Sequence, residues 1–269
     1  MSYELGFLKL RFSVEEGSKK EKFIKYIIKT ENNIKRFFAK TLKRKKHSII
    51  INNQQFYFYD IIFSLGYTGV VKDMENDCYG LSKIDFKEND IVIDIGANIG
   101  MVSLYLAKKY PFLKIYAFEP FKISYDSFIK SIKINNISGK TIYPFNKAVT
   151  KDGRNIVMET TDLLNSVSST VAFKKKESKR DNIIQSITLD NIIETVLSEN
   201  KQDHIKLLKM DCELSEYEIL KNTKIENLKK ISYLSAEFHE KDGFGNPAEL
   251  EAYVKKYIPN VKIVKCKLN

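Results

Sequence analysis

Residues 91–100, Ile-Val-Ile-Asp-Ile-Gly-Ala-Asn-Ile-Gly, run a continuous apolar strand into a glycine-punctuated turn. The pattern then changes period. Met101 to Lys109 carries apolar Val102, Leu104, Leu106 and Ala107 as a helix, and a second strand, Lys114 to Phe118, ends on Glu119 and Pro120. This order makes one β-α-β unit with an acidic tip. Glycines let the backbone pass close to a ligand, the free amides at the helix start favour electronegative groups, and a carboxylate at the next strand end can accept both hydroxyls of a ribose.

The spacing bears on which nucleotide-type ligand is held. A dinucleotide turn reads G-x-G-x-x-G, whereas here Gly96 and Gly100 flank Ala97-Asn98-Ile99. Asp94 would stand where a pyrophosphate sits and repel it, but it suits a ligand carrying an ammonium and a sulfonium. S-adenosylmethionine is such a ligand, and a nicotinamide dehydrogenase is disfavoured by the missing third glycine. The plainer alternative is a tight strand-to-helix turn with Asp94 as a helix cap.

Asp94 to Gly100, Phe118 to Pro120, Asn135-Asn136, Leu189-Asp190 and Asp211 to Glu216 follow one another in an order that resembles the FkbM-type S-adenosylmethionine-dependent methyltransferases. The resemblance covers roughly residues 75 to 240. It implies an α/β fold of the Rossmann-like class I methyltransferase type, a mostly parallel seven-stranded sheet with helices on both faces. It also implies cofactor contacts from Asp94, Gly96, Ala97, Asn98 and Gly100 around the methionine moiety, and from Glu119 with Pro120 at the ribose. The Lys147-Ala148 turn would meet the adenine edge, and Asp211 would face the methionine ammonium or the methyl-transfer site. One position departs from the pattern: residue 214 is Leu where the family carries Gly, so the loop after Asp211 is expected to take another path.

Transfer of a methyl group from a sulfonium is an in-line displacement, so the protein has to align the acceptor and, for a hydroxyl, remove its proton. Glu213 and His239 are the candidate catalytic bases, both expected just beyond strand ends, and an unperturbed His is neutral enough near pH 7 to accept a proton. The competing readings are a capping or surface His239, and Glu213 and Glu216 as a solvated first helical turn favoured by the helix dipole. No metal is assigned. Asp211, Glu213 and Glu237 would offer carboxylates to a divalent cation, but carboxylates alone make a weak set.

Alternating strands and helices continue the α/β pattern. Helices are expected over Tyr125–Asn135, Leu189–Leu197, from Tyr217 and over Ala248–Tyr257. Strands are expected over Thr141–Val149, Ile205–Met210, Ile231–Phe238 and Val261–Cys266. The Thr-, Ser- and Lys-rich stretch 152–187 is too long for a turn and reads as an inserted hairpin or lid, or as a solvated loop. Before the core, Ser48 to Tyr59 reads as a hairpin turning at Asn52-Asn53-Gln54-Gln55 and able to lid the cofactor end. Residues 72–89 make a connector. The boundary is set near residue 75, giving an N-terminal extension over 1–74 and a methyltransferase domain over 75–269.

The charge is concentrated in that extension. Lys19 to Lys46 carries twelve Lys or Arg against two Glu, a net +10 of the chain's +11. Phe23, Ile24, Ile27, Ile28, Ile34, Phe37, Phe38 and Leu42 recur within it at helical spacing, an amphipathic helix with a lysine face. That helix either packs on the domain or meets an anionic membrane surface or a polyanion. Cys78, Cys212 and Cys266 are odd in number and unpatterned, which suits packing residues in a reducing compartment. With no long apolar run and no leader-like start, the expected location is cytoplasmic, with peripheral membrane contact through residues 19–46 as an option.

From resemblance, the acceptor is a hydroxyl on a sugar, glycolipid or secondary metabolite. Two other readings stay open: a nucleic-acid methyltransferase using the basic helix, and a non-catalytic partner or binding module that keeps the cofactor fold.

Overall fold

The computed structural model describes residues 2–5, 10–13, 18–20, 45–51, 53–60, 74–158, 182–241 and 243–267. The chain divides into two compact units, Met1–Lys43 and Arg44–Asn269. In the first, β1 (Ser2–Leu5) pairs antiparallel with β2 (Leu10–Ser13). The expected basic helix falls on residues 21–44, which lie outside the described residues, and its last two lysines, Lys45 and Lys46, belong instead to a strand of the second unit.

That strand, β3 (Lys45–Ile51), forms a hairpin with β4 (Gln54–Asp60). Ile51 pairs with Gln54, so the turn is two residues long and Gln54 and Gln55 are already strand, with Asn53 at φ 61 in the left-handed region that Asn tolerates. The hairpin therefore groups with the sheet-bearing unit and not with the segment before it. Its contacts also correct the lid expectation. Gln54 donates to the carbonyl of Lys108, and Asn135 clamps Tyr57 by accepting its N–H at 3.0 Å and donating to its carbonyl. Both Lys108 and Asn135 lie at helix C-termini, away from the glycine turn.

The core sheet begins with β5 (Ile91–Ile95), α1 (Met101–Lys109) and β6 (Lys114–Phe118), the three elements expected from the sequence. There follow α2 (Lys122–Ile134), β7 (Ile142–Phe145) and the short β8 (Ala148–Val149). The single strand expected over Thr141–Val149 is thus two. Asn146 breaks it by donating to the carbonyls of Glu119 and Pro120, and Ala148 gives its amide to Gln185 O as β8 pairs with β11 (Ser186–Ile187).

Within the 152–187 stretch, β9 (Ile156–Met158) and β10 (Asn182–Ile184) pair antiparallel as the two arms of an insertion; residues 159–181 lie outside the described residues. The chain continues with α3 (Leu189–Asn200), β12 (Ile205–Met210), α4 (Ser215–Asn222), α5 (Ile225–Leu228), β13 (Ile231–Glu240), α6 (Pro247–Val254) and β14 (Asn260–Lys267).

The sheet order is β14-β13-β12-β5-β6-β7, with every pair parallel. The α/β, Rossmann-like expectation holds, with six strands among the described residues where seven were expected. The residues after α6 pair alongside β13 in parallel instead of turning back on it, so among the described residues no antiparallel strand joins the sheet. Side chains alternate between its faces. Ile91, Ile93 and Ile95 pack with α3 to α6, whereas Val92 and Leu207 pack with α1, α2 and the hairpin. Asp94, Lys209, Glu237 and His239 share this second parity.

Asn135→Ala removes the clamp and leaves the Tyr57 amide without its acceptor. The expected loss of unfolding free energy is about 1–3 kcal/mol in urea titration. A loss under about 0.5 kcal/mol would show that the hairpin is held by its apolar face alone.

Candidate active site

The strand order reverses direction between β5 and β12, and the C-terminal ends of these strands are where open α/β sheets bind ligands. Strand register sets Asp94 beside Lys209 and Lys209 beside Ser235. Asp94 is buried, accepts a hydrogen bond from Ser103 Oγ of α1 at 2.6 Å and faces the Lys209 ammonium at 3.3 Å. Lys209, also buried, donates to the carbonyl of Gly96 at 3.0 Å and lies 3.9 Å from Asp211. Burial works against its charge, but Asp94, Asp211 and Glu237 outweigh that and hold its pKa above the ordinary lysine value.

The turn after β5 is shaped by two glycines. Gly96 has φ 75, and a Cβ there would fall 1.8 Å from the Asp211 carbonyl oxygen; Gly100 has φ 85, and a Cβ there would meet the Phe128 ring at 1.9 Å. The amides of Gly96 and Ala97 both donate to Phe118 O, and Gly100 donates to Ala97 O before capping α1. Asn98, at φ 51, donates its amide to Glu119 Oε2 at 2.7 Å, while Phe121 N–H reaches Glu119 Oε1 at 2.8 Å. Burial pushes the Glu119 carboxyl up to about 7, against the pull of those two amides and of Lys209. Pro120 contributes its carbonyl to Asn146, whereas Ala148 is engaged by Gln185.

On the other side of Lys209, Asp211 accepts from Tyr79 Oη at 3.4 Å and is pushed up to about 6, chiefly by burial. Glu213 follows at φ 51 and Leu214 at φ 78 caps α4, so both take the left-handed backbone that a glycine would favour. Glu216, fully buried, accepts the Cys212 amide and lies 3.0 Å from His239 Nδ1 through the same Oε1. His239 Nε2 faces Glu237 at 3.4 Å, Glu213 at 3.8 Å and Asp211 at 4.0 Å.

The expectation of a neutral His239 beyond the strand end is therefore corrected. β13 runs on to Glu240 beside β14, so His239 is a buried strand residue. Burial opposes its charge, yet the hydrogen bonds to Glu216 and Glu237 and the surrounding carboxylates push it up to about 11. As an imidazolium it cannot accept a proton. Glu213 is pushed the opposite way from an ordinary carboxylate, up to about 8, first by burial and then by its acidic neighbours against His239.

Residues 94–258 match the methyltransferase FkbM domain. The chain belongs to the FkbM methyltransferase family. Among its relatives, methyltransferase sdnD of Sordaria araneosa is 38% identical over 68 residues, 25% of this chain and 26% of that one. The 31-O-demethyl-FK506 methyltransferase FkbM of Streptomyces tacrolimicus is 23% identical over 190 residues, 62% of this chain and 72% of that relative. The chain thus spans about a quarter of the length of the first relative. A SAM-dependent methyltransferase from Agrobacterium tumefaciens has a TM-score of 0.44 at 7% identity, covering 82% of this chain and 61% of that one.

In this FkbM family member the structure brings Asp94, Gly96, Ala97, Asn98, Gly100, Glu119 and Asp211 to one end of the sheet, with Glu213 and His239 beside them. Sequence reasoning missed Lys209 and Tyr79. Lys209 sits in an apolar strand, Lys-Leu-Leu-Lys-Met, where a lysine flanked by buried residues on both sides was the available signal. Tyr79 lay in the segment read only as a connector. The Leu189-Asp190 motif is structural: Asp190 accepts from the Lys224 amide and Asn227, tying α3 to the start of α5.

Gly96→Ala forces both an unfavourable φ and a backbone collision. Urea titration is expected to show a loss above about 2 kcal/mol, against a change within about 0.5 kcal/mol for Gly139→Ala, where a Cβ meets nothing within 4 Å. Equal losses at the two positions would contradict the close approach of Gly96 to Asp211.

Proposed function

We propose that this chain is an S-adenosylmethionine-dependent methyltransferase that methylates a hydroxyl of a small molecule, of the sugar, glycolipid or secondary-metabolite kind. The observation that carries the reading is the donor set at the β5 and β12 ends. Asp94, Glu119 and Asp211 surround a glycine turn and are only partly offset by Lys209, which suits a cationic nucleoside and opposes a pyrophosphate. The residues present fit that cofactor. Glu119 would hold the ribose hydroxyls through the lone pairs its two amide donors leave free, Gly96 to Gly100 would lie along the methionine portion, and Asp211 would receive the ammonium. When bound, the cofactor supplies an electrophilic methyl carbon.

The chain's own part is then to align an acceptor and take its proton. Glu213 is the group suited to that: a carboxyl held up to about 8 is poised near neutral pH, where a general base is most effective. The charged His239 lies beside it, and Asp211 and Glu237 complete the rim. The relative from Streptomyces tacrolimicus is named as a methyltransferase of 31-O-demethyl-FK506, which supports an oxygen acceptor.

Isothermal titration with S-adenosylmethionine and, separately, with NADH tests the reading. Saturable binding of the first alone is expected; binding of NADH alone, or of neither, would contradict it. Glu119→Ala is expected to weaken the first by about 1.5–3 kcal/mol, the scale of lost hydrogen bonds to a charged group. The ionised carboxylate is the better acceptor, and its raised pKa puts ionisation near neutrality. Affinity should therefore fall as the pH drops below about 7 in the wild-type chain and lose that dependence in Glu119→Ala. A pH dependence that persists in the variant would remove Glu119 from the ribose site.

A further inference from the structure

Asp211, Glu237 and His239 come together where β12 ends beside β13. Glu237 and His239 are two apart on one strand and so share a face, and Asp211 follows the last residue of β12, where Met210 pairs with Ala236. One ligand-type atom from each of the three lies within 4.8 Å of the other two. The separations from His239 Nε2, 3.4 Å to Glu237 Oε1 and 4.0 Å to Asp211 Oδ1, are compatible with donors sharing one ion. Ligands at 2.1 Å on an octahedral centre stand about 3.0 Å apart when adjacent and about 4.2 Å apart when opposite.

The surroundings point the same way. His239 Nδ1 is held at 3.0 Å by Glu216 Oε1, and Glu216 is itself fully buried and fixed by the Cys212 amide. A carboxylate behind a histidine is the arrangement that orients a metal-binding imidazole, turning Nε2 toward the ion. Two further oxygens, Glu213 Oε2 and Glu216 Oε2, are buried without a hydrogen-bond partner, and the first stands 3.8 Å from His239 Nε2. Four carboxylates, of which Glu216 is buried and Asp211, Glu213 and Glu237 are partly exposed, thus surround one imidazole near the C-terminal end of β13, a set open to solvent and rich in oxygen donors.

We propose that Asp211, Glu237 and His239 form a binding site for a divalent transition-metal cation of the Mn2+ type, which takes the place of the His239 Nε2 proton as that proton leaves to solvent, with Glu216 positioning His239. The mixed imidazole and carboxylate set favours such an ion over Mg2+ or Ca2+, which take oxygen alone. Binding itself is independent of the methyltransferase reading. Only the use of the ion, to hold an acceptor oxygen beside Glu213, rests on it.

The test uses Mn2+ as the probe on the full chain labelled with 15N-histidine, alongside a separate calorimetric titration with S-adenosylmethionine. Mn2+ is expected to broaden the ring signals of His239 first among the three histidines, the others being His47 and His204, with one ion bound per chain. Affinity should fall at least tenfold in Glu237→Gln and between ten- and a hundredfold in Glu216→Gln. Broadening first at His204, whose exposed pair with Asp203 is the alternative surface site, would overturn the proposal. So would the absence of saturable broadening in the wild-type chain, a readout that does not depend on any variant folding. Mn2+ binding without S-adenosylmethionine binding would leave this site standing and sink the proposed function; the reverse would sink this site alone.

Discussion

One buried ammonium holds the functional end of the sheet together. Lys209 reaches from β12 across the point where strand order reverses, donates to the carbonyl of Gly96 and pairs with Asp94 on β5 and Asp211 beyond its own strand. A lysine in that position has no access to water, so its charge persists only because acidic groups stand within a few ångströms of it. The glycine turn is positioned through the same contact: Gly96 O accepts from Lys209 while the Gly96 Cα packs against the Asp211 carbonyl, leaving no room for a side chain. Lys209 thereby couples the turn that follows β5 to the loop that follows β12.

From that coupling the rest of the site divides into two electrostatic halves. Around Glu119 the chain spends its amides on one carboxylate, drawing Asn98 and Phe121 toward the β6 tip. Around His239 it concentrates acids, four of them within 4.0 Å of the ring nitrogens. The second half accepts local strain to do so. Glu213 and Leu214 are consecutive non-glycine residues at positive φ, a conformation that disfavours each by about 1–2 kcal/mol. The Glu216 bond to Cys212 N–H closes that loop from the far side.

Much of this architecture is legible in the amino-acid order. β5, α1 and β6 fall where the change from continuous apolar residues to helical spacing places them, and β12 matches residue for residue, because both faces of these strands are covered and, apart from Lys114 and Lys206 near their N-terminal ends, nearly every position is apolar or committed to the site. Reading was harder where long-range contacts override local pattern. β7 and β8 are separated by the side chain of Asn146 reaching back to Glu119 and Pro120, which no local periodicity reveals. His239 looked like a residue past a strand end; only the pairing with Cys266 on β14 shows that the strand continues through it. The Asn135-Asn136 motif, legible as a family signature, turns out to anchor the hairpin through Asn135, a contact across 78 residues of chain.

The account depends most on the Asp94–Lys209 pair, and a double-mutant stability cycle measures it directly. Lys209→Met alone should cost about 3–5 kcal/mol, because it strands the Asp94 carboxylate in the interior. The Asp94→Asn/Lys209→Met double variant should recover at least about 1.5 kcal/mol relative to the sum of the single losses. Single losses that simply add, within about 0.5 kcal/mol, would mean that the two charges do not support one another and that the turn and the loop after β12 are held in place by something else.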